Sequence, residues 1–428
     1  MIQHTVPVIG LDIGTAKTVA TVGWRHEKCG VEIVGAAMAR TRGIERGVLT
    51  DANAAAATVE EVLHKVEALL RERRSRQRAR DGQVARVPAL YVAVGGDHVL
   101  GSNAKGMLTL ADRPVEVTRK DMRRVIGAGE ALALSRNREI VHTLPQEFIV
   151  DGHTRSRDPR GMFAGRLGVG LHIISGDGVI LKSLMRTVHR AGYDVDGVIY
   201  SGIATSQAVV TPEDKQRGTV LLELGAGTVN ILFFSDGSLQ YSSVLASGGR
   251  DITHTLADAL GIDRSQAEHL KMQYQSSGEA GSAAAAWGDD KIIIKKENAA
   301  YESISRADLA RIIDAAVAEL LGVIRQDLSR AGIPLRSGAG IVLAGGMTFM
   351  DGIMDMVEQA LDCPVRLATM RGFVSNQHGI SNLFYATSIG TVMYALSQQQ
   401  EAQPEPAGGP RVVRYVAERL RQWYEDYF

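Results

Sequence analysis

The apolar positions along the chain change period several times, and each change marks an element. Residues 8–23, VIGLDIGTAKTVATVG, hold two apolar runs around a short bend, which predicts two strands joined by a tight turn carrying Asp12, Gly14, Thr15 and Lys17. Residues 51–70 switch to helical spacing, with Val59, Val62, Leu63, Val66, Leu69 and Leu70 on one stripe. From Pro88 to about Gly161 short apolar strands surround a single helix, whose Thr118 and Asp121 make an N-cap signature with Asp in place of the usual Glu or Gln. That mixture predicts a small α+β insert. GVGLHIISG, VILKSLMRTVHRAG and DGVIYSG then restore strand, helix and strand.

The second half opens on TVLLELGAGTVNILFFSDGSLQYSSVL, which reads as two strands around a glycine turn and a third after the Asp236-Gly237 hairpin signal. Helices follow at 251–260 and 264–274, a small-residue loop covers SSGEAGSAAAAWGDD, and Ser305 with Asp308 caps a long helix. Leu309, Ile312, Ile313, Val317, Leu320, Leu321, Ile324 and Leu328 are its buried stripe. GIVLAGGMTFMDGIMDMVEQAL predicts a strand, a double-glycine turn and a helix, and 397–410, SQQQEAQPEPAGGP, has the composition of a flexible linker.

The last eighteen residues, RVVRYVAERLRQWYEDYF, place Val412, Val413, Val416, Leu420, Trp423, Tyr424 and Tyr427 on one helical face, and Phe428 completes the apolar wedge. Composition alone allows a helix lying in a membrane interface or one docked on protein, since four arginines oppose three acids. The preceding linker favours the membrane, because a helix packing on its own globule needs no such slack.

With 428 residues, 45% of them hydrophobic, the chain can support two or three domains. Lys+Arg 48 against Asp+Glu 48 leaves a formal net charge of +0, so nothing draws the whole molecule to nucleic acid. The exception is local: residues 71–80, RERRSRQRAR, carry six arginines, which could in principle hold a phosphate backbone, but no aromatic or glycine pattern accompanies them and a solvated helix end and loop is the favoured reading. Cys29 and Cys363 stand far apart without a CxxC, which excludes a disulfide framework or zinc site and fits a reducing cytosol. No leader or membrane-spanning run is visible, so an unexported protein that does not cross the membrane is expected.

Laying GLDIGTAKTVATV over LLELGAGTVNILF aligns Asp12 with Glu223, Gly14 with Gly225, Ala16 with Gly227 and Lys17 with Thr228. Related hairpins half a chain apart imply a duplicated α/β domain whose turns face one cleft. Glycine turns aim backbone N–H groups into a shared concavity suited to a polyphosphate. Asp12 and Glu223 at the strand ends suit a water-shelled Mg²⁺, and Lys17, Thr15 and Thr228 would meet the remaining oxygens. At the later AGGM turn, Gly345 and Gly346 would let a purine and ribose lie against the backbone.

In this order the segments resemble the phosphate-one, connecting, phosphate-two and adenosine segments of the actin-like ATPase superfamily. Within it the likeness is to the FtsA family of bacterial division proteins, carried by GLDIGTAKTVATVG, VTRKDMRRVI, IVHTLPQEFIVDG, LHIISG, GIATSQAV, LLELGAGTVNILFFSDG and AGIVLAGGMTFMDGI over residues 7–395. The resemblance implies two lobes around a nucleotide cleft: subdomain 1A at 1–87, 163–198 and 362–396, an α+β 1C insert at 88–162, 2A at 199–253 and 305–361, and 2B at 254–304. The linker at 397–410 and an amphipathic membrane-targeting helix at 411–428 complete it. It adds Gly248 and Met347 to the site of ATP or ADP and Mg²⁺, and puts Glu268 and Lys271 at the ribose, where the residues alone read as well as a surface i,i+3 ion pair. It implies a filament-forming protein on the cytoplasmic face of the inner membrane at the division site. Expected partners are the C-terminal peptide of FtsZ at 254–304, other copies of the chain, lipid, and later division proteins at the insert, with no nucleic acid.

Two departures from the family pattern stand out. Glu223 replaces the usual Asp, and Asn230 a frequent second Asp. The stretch that should hold a Gln or Glu near the attacking water, VIYSGIATS, offers Tyr200 and Ser201 and no general base, so ATP is expected to clamp the lobes with slow hydrolysis. The rival readings are a PilM-like pilus-assembly scaffold, which shares fold and insert position, and a sugar- or acetate-kinase relative, for which the tail has no use. A DnaK-type chaperone would need a peptide-binding domain that the remaining residues are too few to form.

Overall fold

The computed structural model describes residues 6–26, 30–81, 88–133, 135–273, 291–335, 338, 340–375 and 377–401. The expected loop at 276–290, residues 402–410 of the expected linker and the expected membrane helix at 411–428 lie outside them, whereas residues 397–401 of that linker are the end of the helix Ala386–Glu401, since Gln and Glu are good helix formers.

Two sheets share one topology. In the first, Val8–Ile13, Lys17–His26 and Gly30–Arg40 form an antiparallel meander, Ala89–Val94 and Gly197–Tyr200 continue it in parallel beside the first strand, and Phe373–Ser375 closes the far edge. In the second, Thr219–Leu224, Val229–Ser235 and Ser238–Leu245 form the meander, continued by parallel Gly340–Ala344 and Val365–Leu367. The registers coincide. Asp12 pairs with Val19 and Ala93, and Glu223 pairs with Asn230 and Ala344, so the sequence repeat is a repeat in space. The strands read as near-continuous apolar runs because both faces are covered.

Ala52–Asp81 and Gly178–Arg190 cover one face of the first sheet. Gly249–Leu260, Arg264–Met272, Arg306–Arg330 and Ile353–Leu361 cover one face of the second. Between the lobes Ser201–Val209 and Ala386–Glu401 cross, packed against Leu221, Leu232 and Val342. At the crossing a Cβ on Gly390 would lie 1.8 Å from Ala204 O, so only glycine permits the approach. The expected caps are present: Asp308 N–H donates to Ser305 Oγ at 3.0 Å, and Thr118 and Asp121 cap each other reciprocally.

The insert is an antiparallel sheet, ordered Thr154–Ser156, Arg138–Val150, Arg166–Asp177 and Leu100–Thr109, under the helix Arg119–Ala133. Its limits differ from the expected 88 and 162. Ala89–Val94 is a central strand of the first lobe, apolar because it is buried between two parallel neighbours, and Arg166–Asp177 is a central strand of the insert. The helix expected at 51–70 runs on to Asp81, since arginine favours helix and no breaker intervenes before Gly82. The return from second lobe to first falls after Leu367, because Val365–Leu367 still pairs in the second sheet.

Although it grows out of the first lobe, the insert leans on the outer strand of the second. Asn103 Nδ2 donates to Gln240 O at 3.1 Å and Gln146 Nε2 to Leu239 O at 3.0 Å. With the amide nitrogen of Asn103 so used, its Oδ1 accepts from His172 Nδ1 at 2.6 Å, and His172 Nε2 accepts from Ser242 Oγ at 2.8 Å. That neutral tautomer fits a ring pushed by burial down to about 4. His142 accepts the Tyr200 N–H at 2.9 Å and is likewise lowered by burial to about 4.

Both rings stay neutral in the folded chain, so below their ordinary pKa the unfolded chain binds more protons. Their stabilisation is complete above about pH 6.5 and is lost as pH falls toward 4, by roughly 3 kcal/mol for each ring. Calorimetry should show the melting temperature dropping through that window and His172→Gln flattening the drop. Gly390→Ala should cost about 2 to 3 kcal/mol in denaturant unfolding, because the crossing helices must separate.

Candidate functional site

The two hairpin turns are built alike and meet. Gly14 N–H donates to Lys17 O and Gly225 N–H to Thr228 O, each at 3.0 Å. A Cβ on Gly14 would lie 2.9 Å from Lys17 O, and one on Gly225 would lie 2.7 Å from Thr228 O, so each turn demands glycine for the same reason. A Cβ on Gly227 would lie 2.5 Å from Oγ1 of Thr15, which is buried. The turns therefore face each other across the junction of the lobes. Arg250 Nη2 donates to Thr15 O at 3.0 Å, and Arg46 pairs with Asp251 at 2.5 Å, which fastens the lobes further.

Three charges sit behind the turns. Asp12 is half-buried, and burial raises its carboxyl to about 7 against the pull of Lys17, with Glu223 adding to the rise. Burial lowers Lys17 to about 8, opposed by Asp12 and Glu223. Lys17 Nζ donates to Phe384 O and stands 4.5 Å from the centroid of the Phe384 ring, which in turn packs 4.3 Å from that of Phe349.

Glu223 is held from three elements. Its Oε1 accepts from Thr205 Oγ1 at 2.9 Å and Thr387 Oγ1 at 3.1 Å, one on each crossing helix, and Oε2 accepts from Asn230 Nδ2 at 2.8 Å. Burial raises its pKa while these bonds oppose the rise. Asn230 Oδ1 accepts from Tyr200 OH at 3.1 Å. The longer Glu and the Asn that depart from the family pattern thus join one hydrogen-bonded cluster with the crossing helices. Among the described residues no group of three or more His, Cys, Asp or Glu could hold a metal ion, so Asp12 and Glu223 stand as a pair of carboxylates.

The remaining expected residues gather beside the second turn. Gly248 lies so close that its Cβ would be 2.6 Å from Gly225 O, and Gly345 has φ +94 with its Cβ position 2.3 Å from Leu224 O. Met347 is buried against Gly249, and Gly346 is exposed. Lys271 Nζ donates to Gly249 O at 2.8 Å and to Glu268 at 2.7 Å. Burial pushes Glu268 up, but hydrogen bonds from Lys271 and Thr253 leave it below its ordinary value. The pair is the i,i+3 ion pair that the residues alone suggest, and Lys271 ties it to Gly249 beside the second turn. Thr228 contributes the carbonyl that closes its turn. The glycine-lined cradle and its flanking cations fit a polyphosphate ligand.

Thr205, Arg250, Phe384 and Thr387 were not expected. Arg250 follows the Gly248-Gly249 pair and could have been found from it, whereas Phe384 and Thr387 come from the last helix and carry no local signal.

The fold and cleft define a protein of the actin-like ATPase fold. Solved relatives share it: the PilM-PilN type IV pilus biogenesis complex, TM-score 0.61 at 14% identity, covering 91% of this chain and 98% of that one. MreB5 of Spiroplasma citri bound to ADP is similar at TM-score 0.54 and 13% identity, covering 93% and 99%. Family models match residues 96–175 as the SHS2 domain inserted in FtsA and residues 220–390 as cell division protein FtsA. Cell division protein FtsA of Pseudomonas aeruginosa is 28% identical across 100% of this chain and 99% of its own length, and that of Escherichia coli K12 is 25% identical across 98% of each. The chain belongs to the FtsA family of cell division proteins.

Thr387→Val removes one donor from Glu223 without changing shape. It should destabilise the folded chain by about 1 to 2 kcal/mol at neutral pH, read by urea unfolding, and by less at acid pH where Glu223 is protonated.

Proposed function

We propose that the chain is an ATP-binding, self-assembling division protein that ties filaments of the tubulin-like FtsZ to the cytoplasmic face of the inner membrane. The meeting of the two glycine turns at Thr15 and Gly227 carries this reading, in a chain of the FtsA family. A triphosphate would lie against the turn N–H groups, with Lys17, Thr15 and Thr228 meeting its oxygens and Gly248 keeping the wall thin. Glu268 and Lys271 would take the ribose, and Gly345, Gly346 and Met347 the purine. Asp12 and Glu223 would hold magnesium through water, and the ion when bound would supply positive charge to the phosphate oxygens.

Hydrolysis on this reading is slow. In VIYSGIATS, burial keeps the Tyr200 phenol protonated far above neutral pH, its O–H donates to Asn230, and Ser201 Oγ accepts from the same side chain at 3.2 Å. Neither residue abstracts a proton at neutral pH. Nucleotide would then favour the closed, polymer-forming state only as far as it binds that state better.

Among the described residues no helix is long and apolar enough to cross a membrane. Attachment on this reading falls to the wedge at 411–428, which is reversible for a single copy and made firm by many tails on one filament. Residues 254–304 would take the FtsZ peptide, and the insert would meet neighbouring copies and later division proteins. A PilM-like scaffold role is the alternative, supported by the shared fold.

Gly225→Val should weaken ATP binding at least about tenfold in titration calorimetry. An affinity equal to the parent's would remove the nucleotide from this cleft. Truncation after residue 401 should abolish vesicle sedimentation and leave ATP binding intact. Absence of saturable binding to an FtsZ C-terminal peptide, in polymerising and non-polymerising conditions alike, would favour the PilM-like role.

A further inference from the structure

The arginine-rich run at 71–80 has no part in the cleft, and its position is informative. In the first sheet Lys17 pairs with Arg40 at the cleft end, and His26 with Gly30 at the opposite end. The helix Ala52–Asp81 runs along Gly30–Arg40 toward that opposite end. Leu69 lies against Gly35, and Arg73 pairs with Glu32 at 2.9 Å, one turn further on. The eight residues after Arg73 therefore carry the helix about 12 Å onward, past the start of the strand.

The last helix leaves at the same pole, on the other face of the sheet. Thr387 is at Glu223, Ser388 Oγ is 2.7 Å from Thr21 Oγ1, Val392 lies against Gly10 and Gly23, and Ala395 and Leu396 join Val8 and Val31. Beyond 401, nine residues precede the helix expected at 411–428, a reach of at most about 32 Å. Among the described residues, acids near this end are engaged: Glu32 accepts from Trp24 Nε1 and Arg73, Glu67 from Arg71 at 3.0 Å, and Asp196 accepts the Leu90 N–H at 2.7 Å.

We propose that the arginine-rich end of Ala52–Asp81 is an electrostatic contact for anionic phospholipid headgroups, lying at the pole from which the C-terminal wedge departs. Resting on the reading of 411–428 as a membrane helix, it supplies what that helix lacks. The wedge has four arginines against three acids, whereas RERRSRQRAR has six arginines against one glutamate and Ala79 as its lone apolar residue. With no apolar stripe the helix end does not insert; it adds attraction that salt screens within a Debye length. Apolar insertion and headgroup attraction are thus divided between two segments on one side of the molecule.

The test uses the full chain, sedimented with vesicles of phosphatidylcholine alone or mixed with phosphatidylglycerol. The parent should bind the mixed vesicles at least about tenfold more tightly, and high salt should erase the gain. Arg76→Glu, Arg78→Glu and Arg80→Glu together should abolish the gain while leaving binding to neutral vesicles at the parent's level, and the corresponding Gln variant should lose most of it. A gain unchanged in both variants overturns the proposal, as does an equal loss on neutral vesicles. A duplex DNA complex that depends on these arginines, without any phosphatidylglycerol gain, also overturns it. Loss of the wedge reading shows separately, as neutral-vesicle binding that survives truncation after residue 401.

Discussion

The contact of Gly227 with Thr15 is the constraint on which the architecture turns. Because a side chain on Gly227 would occupy the space of the Thr15 hydroxyl, the two lobes approach at their turns as closely as backbone allows. That approach brings Glu223 near enough to add to the rise of the Asp12 carboxyl, although the two stand on separate sheets, and places Lys17 under the influence of both. Duplication explains why the junction is nearly symmetric, since each turn is closed by the same backbone hydrogen bond from glycine to the carbonyl three residues on.

Behind the turns, the second lobe is tied to both crossing helices through a single carboxylate. Glu223 reaches Thr205 and Thr387, and Gly390 lets those helices touch. A buried carboxylate with three donors is far cheaper to keep than one stripped of them, so the cluster resists piecemeal change. The acid at this strand end therefore does structural work at the pivot.

Much of this was legible in the sequence, for identifiable reasons. The repeat at Asp12 and Glu223 showed because strand register preserves spacing, and the caps at Thr118 and Ser305 showed because capping is local. The insert's limits did not, since the apolar runs at 89–94 and 166–177 look alike and only pairing reveals that one belongs to the lobe and the other to the insert. Phe384 and Thr387 reach the site from the far end of the chain, and a linear reading gives no distance between residues 17 and 384. The helix runs on to 81 rather than ending near 70, because arginine is a good helix former and a run of charge does not by itself stop a helix.

The seating of the insert on the strand Ser238–Leu245 has a mechanical consequence. Rooted in one lobe and resting on the other, it straddles the joint like a strut, and beside the apolar packing of Leu144 and Ile174 with Leu239 and Val244 its contacts there include short polar bonds: His172 to Ser242, Asn103 to Gln240, Gln146 to Leu239. Such bonds tolerate a few tenths of an ångström and then break. Any swing of the lobes larger than that must drag the insert along or let go of it, so a molecule gripping its outer surface feels the angle of the joint without reaching inside.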